Sequence, residues 1–151
     1  MSQENVEVVS LWASQLIAAV DAHRGDAQSY AAELQGGEFD AGARAALDLL
    51  HPAVIWTSAL GEVYEGKPDC ARFASQLLAA SESYSLSLQD VTDLGTDQIL
   101  AEYEVAMTGA ASGIEGRFPV CVVFTVCDGR ISRMVEYASR HRALKAVGLE
   151  E

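Results

Sequence analysis

Basic residues are scarce in this chain. Ten Lys and Arg stand against 22 Asp and Glu, a formal net charge of −12. Nucleic acid and anionic membranes both demand a basic footprint, so neither is an expected partner. No apolar run approaches the ~18 residues of a membrane span. The opening MSQENVEVV has neither the basic region nor the apolar block of a signal peptide. A cytoplasmic location is the expectation. Cysteine is also sparse, with Cys70, Cys121 and Cys127 alone. Cys121 and Cys127 sit six residues apart on one expected strand, about 20 Å at ~3.4 Å per residue, whereas a disulfide needs Cα atoms within about 7 Å. Free thiols in a reducing compartment follow. No CxxC or His-rich spacing points to a metal, and no cofactor is expected.

What the chain does have is apolar residues, half of its 151 positions. A chain of this length buries roughly 68–70% of its unfolded surface, so a sizeable core is available. Its organising stretch is Gln98 to Tyr137, which reads as three strands. Ile99, Ala101, Tyr103, Val105 and Met107 share one face of the first. Phe118, Val120, Val122, Phe124 and Val126 share one face of the second. A period of two with one apolar face marks a strand lying on a core. Asp128-Gly129 between apolar runs signals a hairpin. Pro119 cannot donate to a ladder, so its end of the strand should be an edge or a bulge.

Upstream, Val6, Val9, Ala13, Leu16, Ile17 and Val20 give an amphipathic helix over 3–24, with Ser2 as N-cap and Arg24-Gly25 as a stop. Trp12 borders that stripe and suits either a core or a cavity wall. Residues 26–40 interrupt the pattern, as a surface insertion or a lid. A second helix, AGARAALDLL, should stop at His51-Pro52. Two short strands follow, AVIWTSALG and EVYEG, then a helix opened by Pro68. Its stripe is Phe73, Leu77 and Leu78. A strand over 84–94 breaks its alternation near Gln89-Asp90, where a bulge is expected. Ser139 can cap a final short helix.

Helices, two short strands, a helix and four long strands give an α+β fold, with a curved sheet forming a cone whose mouth is a natural small-molecule pocket. At this point particular phrases carry a resemblance: SQENVEVV, DLLHPAVIWTSALGEVYEG, QDVTDLG, and DGRISRMVEY followed by RALKAVGL. With the order of elements, they resemble the NTF2-like superfamily and its SnoaL-like members, over nearly all of 1–151 as one domain, with an insertion near 27–39. The resemblance implies an NTF2-like cone, a curved antiparallel sheet with helices packed on its concave face. It also implies a homodimer through the sheet, and Leu100, Ala106, Cys121 and Val123 make that face too apolar to be wholly solvated. The superfamily includes ketosteroid isomerases, polyketide cyclases and dehydratases, so fold does not decide activity.

The catalytic positions of ketosteroid isomerase-like members can be followed onto this chain. The carboxylate base falls at Thr57 or Ser58, the tyrosine at Ala18 or Ile17, and the second acid at Val122. None has the required chemistry, so isomerase activity on a steroid ketone is not expected. Glu136 alone is held open, because a bulge can invert a strand's facing. The expected pocket is built from Trp12, Trp56, Ser58, Tyr64, Phe73, Tyr103, Phe118, Val122, Phe124 and Tyr137, apolar with a few hydroxyls and no fixed charge. Each aromatic among them could equally serve as core. His51 reads as a local cap at a helix end, and His23 and His141 as surface residues. Glu102 and Glu104 face away from the apolar side, where Arg117 and Arg133 could pair with them. The expected function is that of a SnoaL-like pocket protein which binds a largely apolar metabolite and could transform it by cyclase-, isomerase- or dehydratase-type proton transfer. The alternative is a non-catalytic interaction module working through its sheet face, its cone filled by side chains.

Overall fold

The computed structural model describes residues 2–22, 31–32 and 41–149. Among these, helix α1 (Ser2–Ala22) and α2 (Ala41–Asp48) precede β1 (Leu50–Thr57) and β2 (Val63–Glu65). Helix α3 (Lys67–Ala79), β3 (Ser81–Gly95), β4 (Gln98–Gly109), β5 (Glu115–Cys127), β6 (Arg130–Tyr137) and α4 (Arg140–Ala146) follow. The strands form one six-stranded sheet in the order β2-β1-β6-β5-β4-β3. Its pairings are antiparallel except β1 with β6, which run parallel, so the sheet is mixed rather than wholly antiparallel. The chain is α+β, with a curved, unclosed sheet.

The long strands follow the alternation in their sequences. Ile99, Ala101, Tyr103 and Val105 face Phe124, Val122, Val120 and Phe118 across the β4–β5 ladder. The fully buried core on this side includes Val9, Val54, Ile99 and Phe124. The β3 bulge falls between Leu88 and Asp90. Asp128 and Gly129 both take positive φ, as the two central residues of a type I′ turn require. Pairing with β6 reaches only to Cys121, so Pro119 lies where β5 has a single neighbour.

Boundaries moved where tertiary pairing outweighs local preference. Helix α2 ends at Asp48 rather than Leu50, because Leu50 already pairs with Ile131 of β6. Strand β1 therefore runs through His51-Pro52, whose extended bias suits it. The His51 Nδ1 accepts the Ala53 N–H at 3.0 Å, so this side chain stabilises the local chain rather than capping helix carbonyls. The expected stop at Arg24-Gly25 and most of the 27–39 insertion lie outside the described residues. Of that insertion, Ala31 is buried against Ala19, Ala43 and Leu78, and its carbonyl accepts a hydrogen bond from the Ser75 hydroxyl at 3.3 Å.

Helices α1, α2 and α3 cover the core side of the sheet, but α4 packs on the other face. Ala143 and Leu144 of α4 cover Leu100, Cys121 and Val123, each 3% exposed or less. Ser139 caps α4 by accepting the Arg142 N–H at 3.2 Å. Arg140 ties the helix to Glu102 at 2.8 Å, and Arg117 bonds Glu104 of the neighbouring strand at 2.8 Å. Three of the four apolar residues that suggested a sheet-face dimer, Leu100, Cys121 and Val123, are thus covered within the chain, while Ala106 stays half-buried outside that cluster. The three cysteines are free, with Cys70 and Cys121 buried.

Candidate functional site

A cavity of about 350 Å³ opens between α1, α3 and the core side of the sheet. Strand β4 contributes Tyr103 and Val105, and β5 contributes Phe118, Val120 and Val122. Trp12 comes from α1, Phe73 from α3, and Trp56 and Ser58 from the end of β1. Seven of the ten expected pocket residues therefore meet here: Trp12, Trp56, Ser58, Phe73, Tyr103, Phe118 and Val122. The other three stand elsewhere. Tyr64 stacks on the outer side of Phe73, with centroids 4.2 Å apart. Phe124 is fully buried behind Trp12, edge-on at 5.3 Å. Tyr137 lies on the opposite face, packed against the cluster that α4 covers.

The position of Tyr137 has a specific cause. In the β5–β6 ladder Thr125 pairs with Arg133 and Val126 with Ile131, which leaves Ser132 as an extra residue. An extra residue reverses which side chains face the core. Ile131 points inward before the bulge, and Met134 and Glu136 point inward after it. Arg133 and Tyr137 fall outside. A signal for this was present in the sequence: strict alternation from Ile131 would have driven the Arg133 guanidinium into an apolar core.

The consequence is a carboxyl inside the cavity, which departs from the expectation of a site without fixed charge. Glu136 sits directly across the ladder from Val122. Burial pushes its carboxyl up to about 7, opposed by hydrogen bonds from the Ala59 backbone N–H and the Trp56 side chain. Both donors are well braced. The Trp56 ring meets Phe73 edge-on at 4.7 Å, and Phe73 is in turn stacked on Tyr64. Ala59 lies in the β1–β2 turn. There Ser58 N–H donates to the Glu62 carbonyl at 2.8 Å, Ser58 Oγ accepts the Glu62 N–H at 3.2 Å, and Gly61 takes φ of 87°. Ser58 thus fixes the turn that aims Ala59 N–H at the carboxylate.

Phenols complete the polar set. Tyr103 is 4% exposed, and its hydroxyl is buried with no hydrogen-bond partner among the described residues. Burial raises its pKa, so it is a donor rather than a phenolate. Tyr84 of β3 also lines the cavity; its pKa is raised by burial and then by the charge of Glu136. Cys70 does not line this cavity; its thiol is buried beside it and pushed up to about 11 by that burial, so it is no nucleophile. No group of three or more His, Cys, Asp or Glu among the described residues is placed to hold a metal. No helix of the described residues is long and apolar enough to cross a membrane.

A carboxyl with a pKa near 7, a neutral donor hydroxyl and an apolar wall can take up or deliver a proton on a bound molecule. The comparisons with known proteins agree with the architecture. The family model for the SnoaL-like domain matches residues 27–134, and the chain belongs to that family. No curated protein matches the sequence significantly. Among solved structures, a candidate SnoaL-like polyketide cyclase from a Jannaschia species superposes with a TM-score of 0.64 at 16% identity, over 99% of this chain and 94% of that one. TerC, co-crystallised with polyporic acid, gives 0.60 at 16% identity over 97% of each chain. An NTF2-like protein from Burkholderia pseudomallei gives 0.61 at 13% identity, over 94% of this chain and 95% of that one. At these identities the likeness is one of fold.

Proposed function

We propose that this protein binds a neutral, largely apolar metabolite carrying an oxygen function and moves a proton on it, with Glu136 as the acid–base group. The observation that carries the reading is the Glu136 carboxyl in the cavity, raised to about 7 and held by Trp56 and Ala59. At neutral pH such a group is present in both protonation states, so it can abstract and return a proton. Tyr103 supplies the unpartnered donor that a carbonyl oxygen of the ligand would satisfy. Val122, where the resemblance implies a second acid, faces Glu136 across one ladder step; the carboxyl comes from the neighbouring strand at the same level. The polyketide-cyclase likeness and the ligand-bound TerC fit a pocket of this kind. The protein's net charge of −12 disfavours anionic ligands.

The test does not require the natural substrate. Cyclic ketones incubated with the protein in deuterated water should exchange hydrogen α to the carbonyl, followed by NMR. Exchange should be lost in Glu136→Gln while ketone binding persists. Binding without exchange would leave a binding protein. A partner-binding module with a filled cone is disfavoured by the open cavity of about 350 Å³. A homodimer through the sheet rests mainly on the resemblance, since α4 covers Leu100, Cys121 and Val123 and leaves only Ala106 of the named apolar residues of that face outside its cluster. A 16 kDa particle in light scattering at micromolar concentration would exclude it.

A further inference from the structure

Beside the main cavity lies a second hollow of about 120 Å³. The two share seven wall residues, among them Trp12, Trp56, Tyr84, Leu86 and Met134. Their chemistry differs. The main cavity holds Glu136, Tyr103, Ser58 and Glu62, whereas no charged side chain among the described residues lines the second. Its far wall is made of Ala43 and Ala46 on α2 and Ala71 and Ala74 on α3, each pair one helical turn apart. Larger aliphatic residues at these four positions would close the space, and close packing is the stable condition of a protein interior.

We infer that this hollow is an apolar subsite for one ring or short branched alkyl group of the ligand whose oxygenated end lies against Glu136. Its size sets the limit: an apolar cavity of roughly 150 Å³ stays dry and admits benzene, so this one takes about six carbons. Its position sets the geometry. The hollow adjoins the main cavity along the walls they share, and that cavity is lined by Tyr103, whose hydroxyl is buried and has no partner among the described residues. A ligand filling both would satisfy that hydroxyl at one end and bury its hydrocarbon at the other. The substrate class is therefore a compact ketone or enol carrying one apolar substituent, not a long acyl chain. The naming of the oxygenated end rests on the proton-transfer reading; the apolar subsite does not.

The experiment uses the full chain with cyclohexanone, 4-methylcyclohexanone and 4-phenylcyclohexanone as probes, titrated by ligand-observed NMR. Each buried methylene is worth roughly fourfold in affinity, so the phenyl ketone should bind wild type at least tenfold tighter than cyclohexanone. Ala74→Leu should abolish that gain and leave cyclohexanone affinity within twofold. Ala46→Leu, from the facing helix, should do the same. Should both variants fail to fold, methyl shifts in wild type decide: the phenyl ketone should move Leu47 and Leu78 signals, and cyclohexanone should not. No affinity gain in wild type, a gain surviving either folded variant, or unmoved methyl signals would overturn the subsite. Exchange at the α carbon of cyclohexanone is scored separately. Its absence removes the proton-transfer reading and leaves the subsite standing.

Discussion

Replacing Glu136 by Gln should make the protein more stable at pH 8 and only about a quarter as much so at pH 5. In the unfolded chain this carboxyl ionises near its ordinary value of 4.5, and in the fold near 7. Between those values the folded state binds more protons than the unfolded state, so stability falls as pH rises through that window. Below it both states are protonated and the group is neutral in effect; above it the full cost is present. The difference corresponds to about 3 kcal/mol, a ceiling because water entering the cavity would reduce it. Gln keeps an oxygen to accept from Trp56 and Ala59 and never ionises. Urea titrations of both proteins at pH 5 and pH 8 measure the effect, and thermal melts should show a gain of up to about 10 °C for the variant at pH 8. The remaining acidic groups are common to both proteins, so their pH dependence cancels in the comparison. A variant destabilised equally at both pH values would refute the reasoning, because Glu136 would then be a structural ion with an ordinary or lowered pKa.

Trp56→Phe removes one of the two donors to Glu136, so the carboxyl should titrate higher still. A carbon-13 carboxyl titration that does not move would show that the indole N–H is not holding it. Ser58→Ala loses the acceptor for the Glu62 N–H and should cost about 1 kcal/mol in urea unfolding, with the Glu136 titration again displaced upward as the turn loosens. Phe124→Ala empties a fully buried position against Trp12 and should cost about 3–5 kcal/mol; a loss under about 1 kcal/mol would contradict its place in the core.

Much of the fold was legible because alternation survives in the long strands. Tyr103, Val122 and Phe118 were placed on one face by a period of two, and the ladder between β4 and β5 runs without interruption. The bulge in β3 was legible for the same reason, since Leu86, Leu88 and Val91 cannot share one unbroken alternation. The carboxyl of the site was not assigned, because its facing depends on a single extra residue at Ser132. An apolar residue on each side of that bulge reads as continuous strand unless the cost of burying Arg133 is counted. The parallel pairing of β1 was hidden for a different reason. It joins segments far apart in sequence, and local pattern carries no information about which distant edge a short strand will meet. Tyr64 and Phe124 sit one layer behind the cavity wall, a distinction of packing depth that side-chain facing cannot make.

The parallel contact between β1 and β6 has a kinetic consequence. Trp56 and Ala59 belong to an early segment and Glu136 to the last strand, and the register that joins Trp56 to Met134 is what brings them together. Local hairpins such as β3–β4 and β5–β6 close short loops, while this pairing closes the longest loop in the sheet and is entropically the slowest to form. Burial is what raises the Glu136 carboxyl, and β1 with its turn supplies the Trp56, Ser58 and Ala59 part of the wall that buries it, so the elevation forms with the β1–β6 seam. During refolding near pH 6, a dye that senses solution acidity should register uptake of a proton only in the final phase, so the chain itself reports the moment at which its chemistry is assembled.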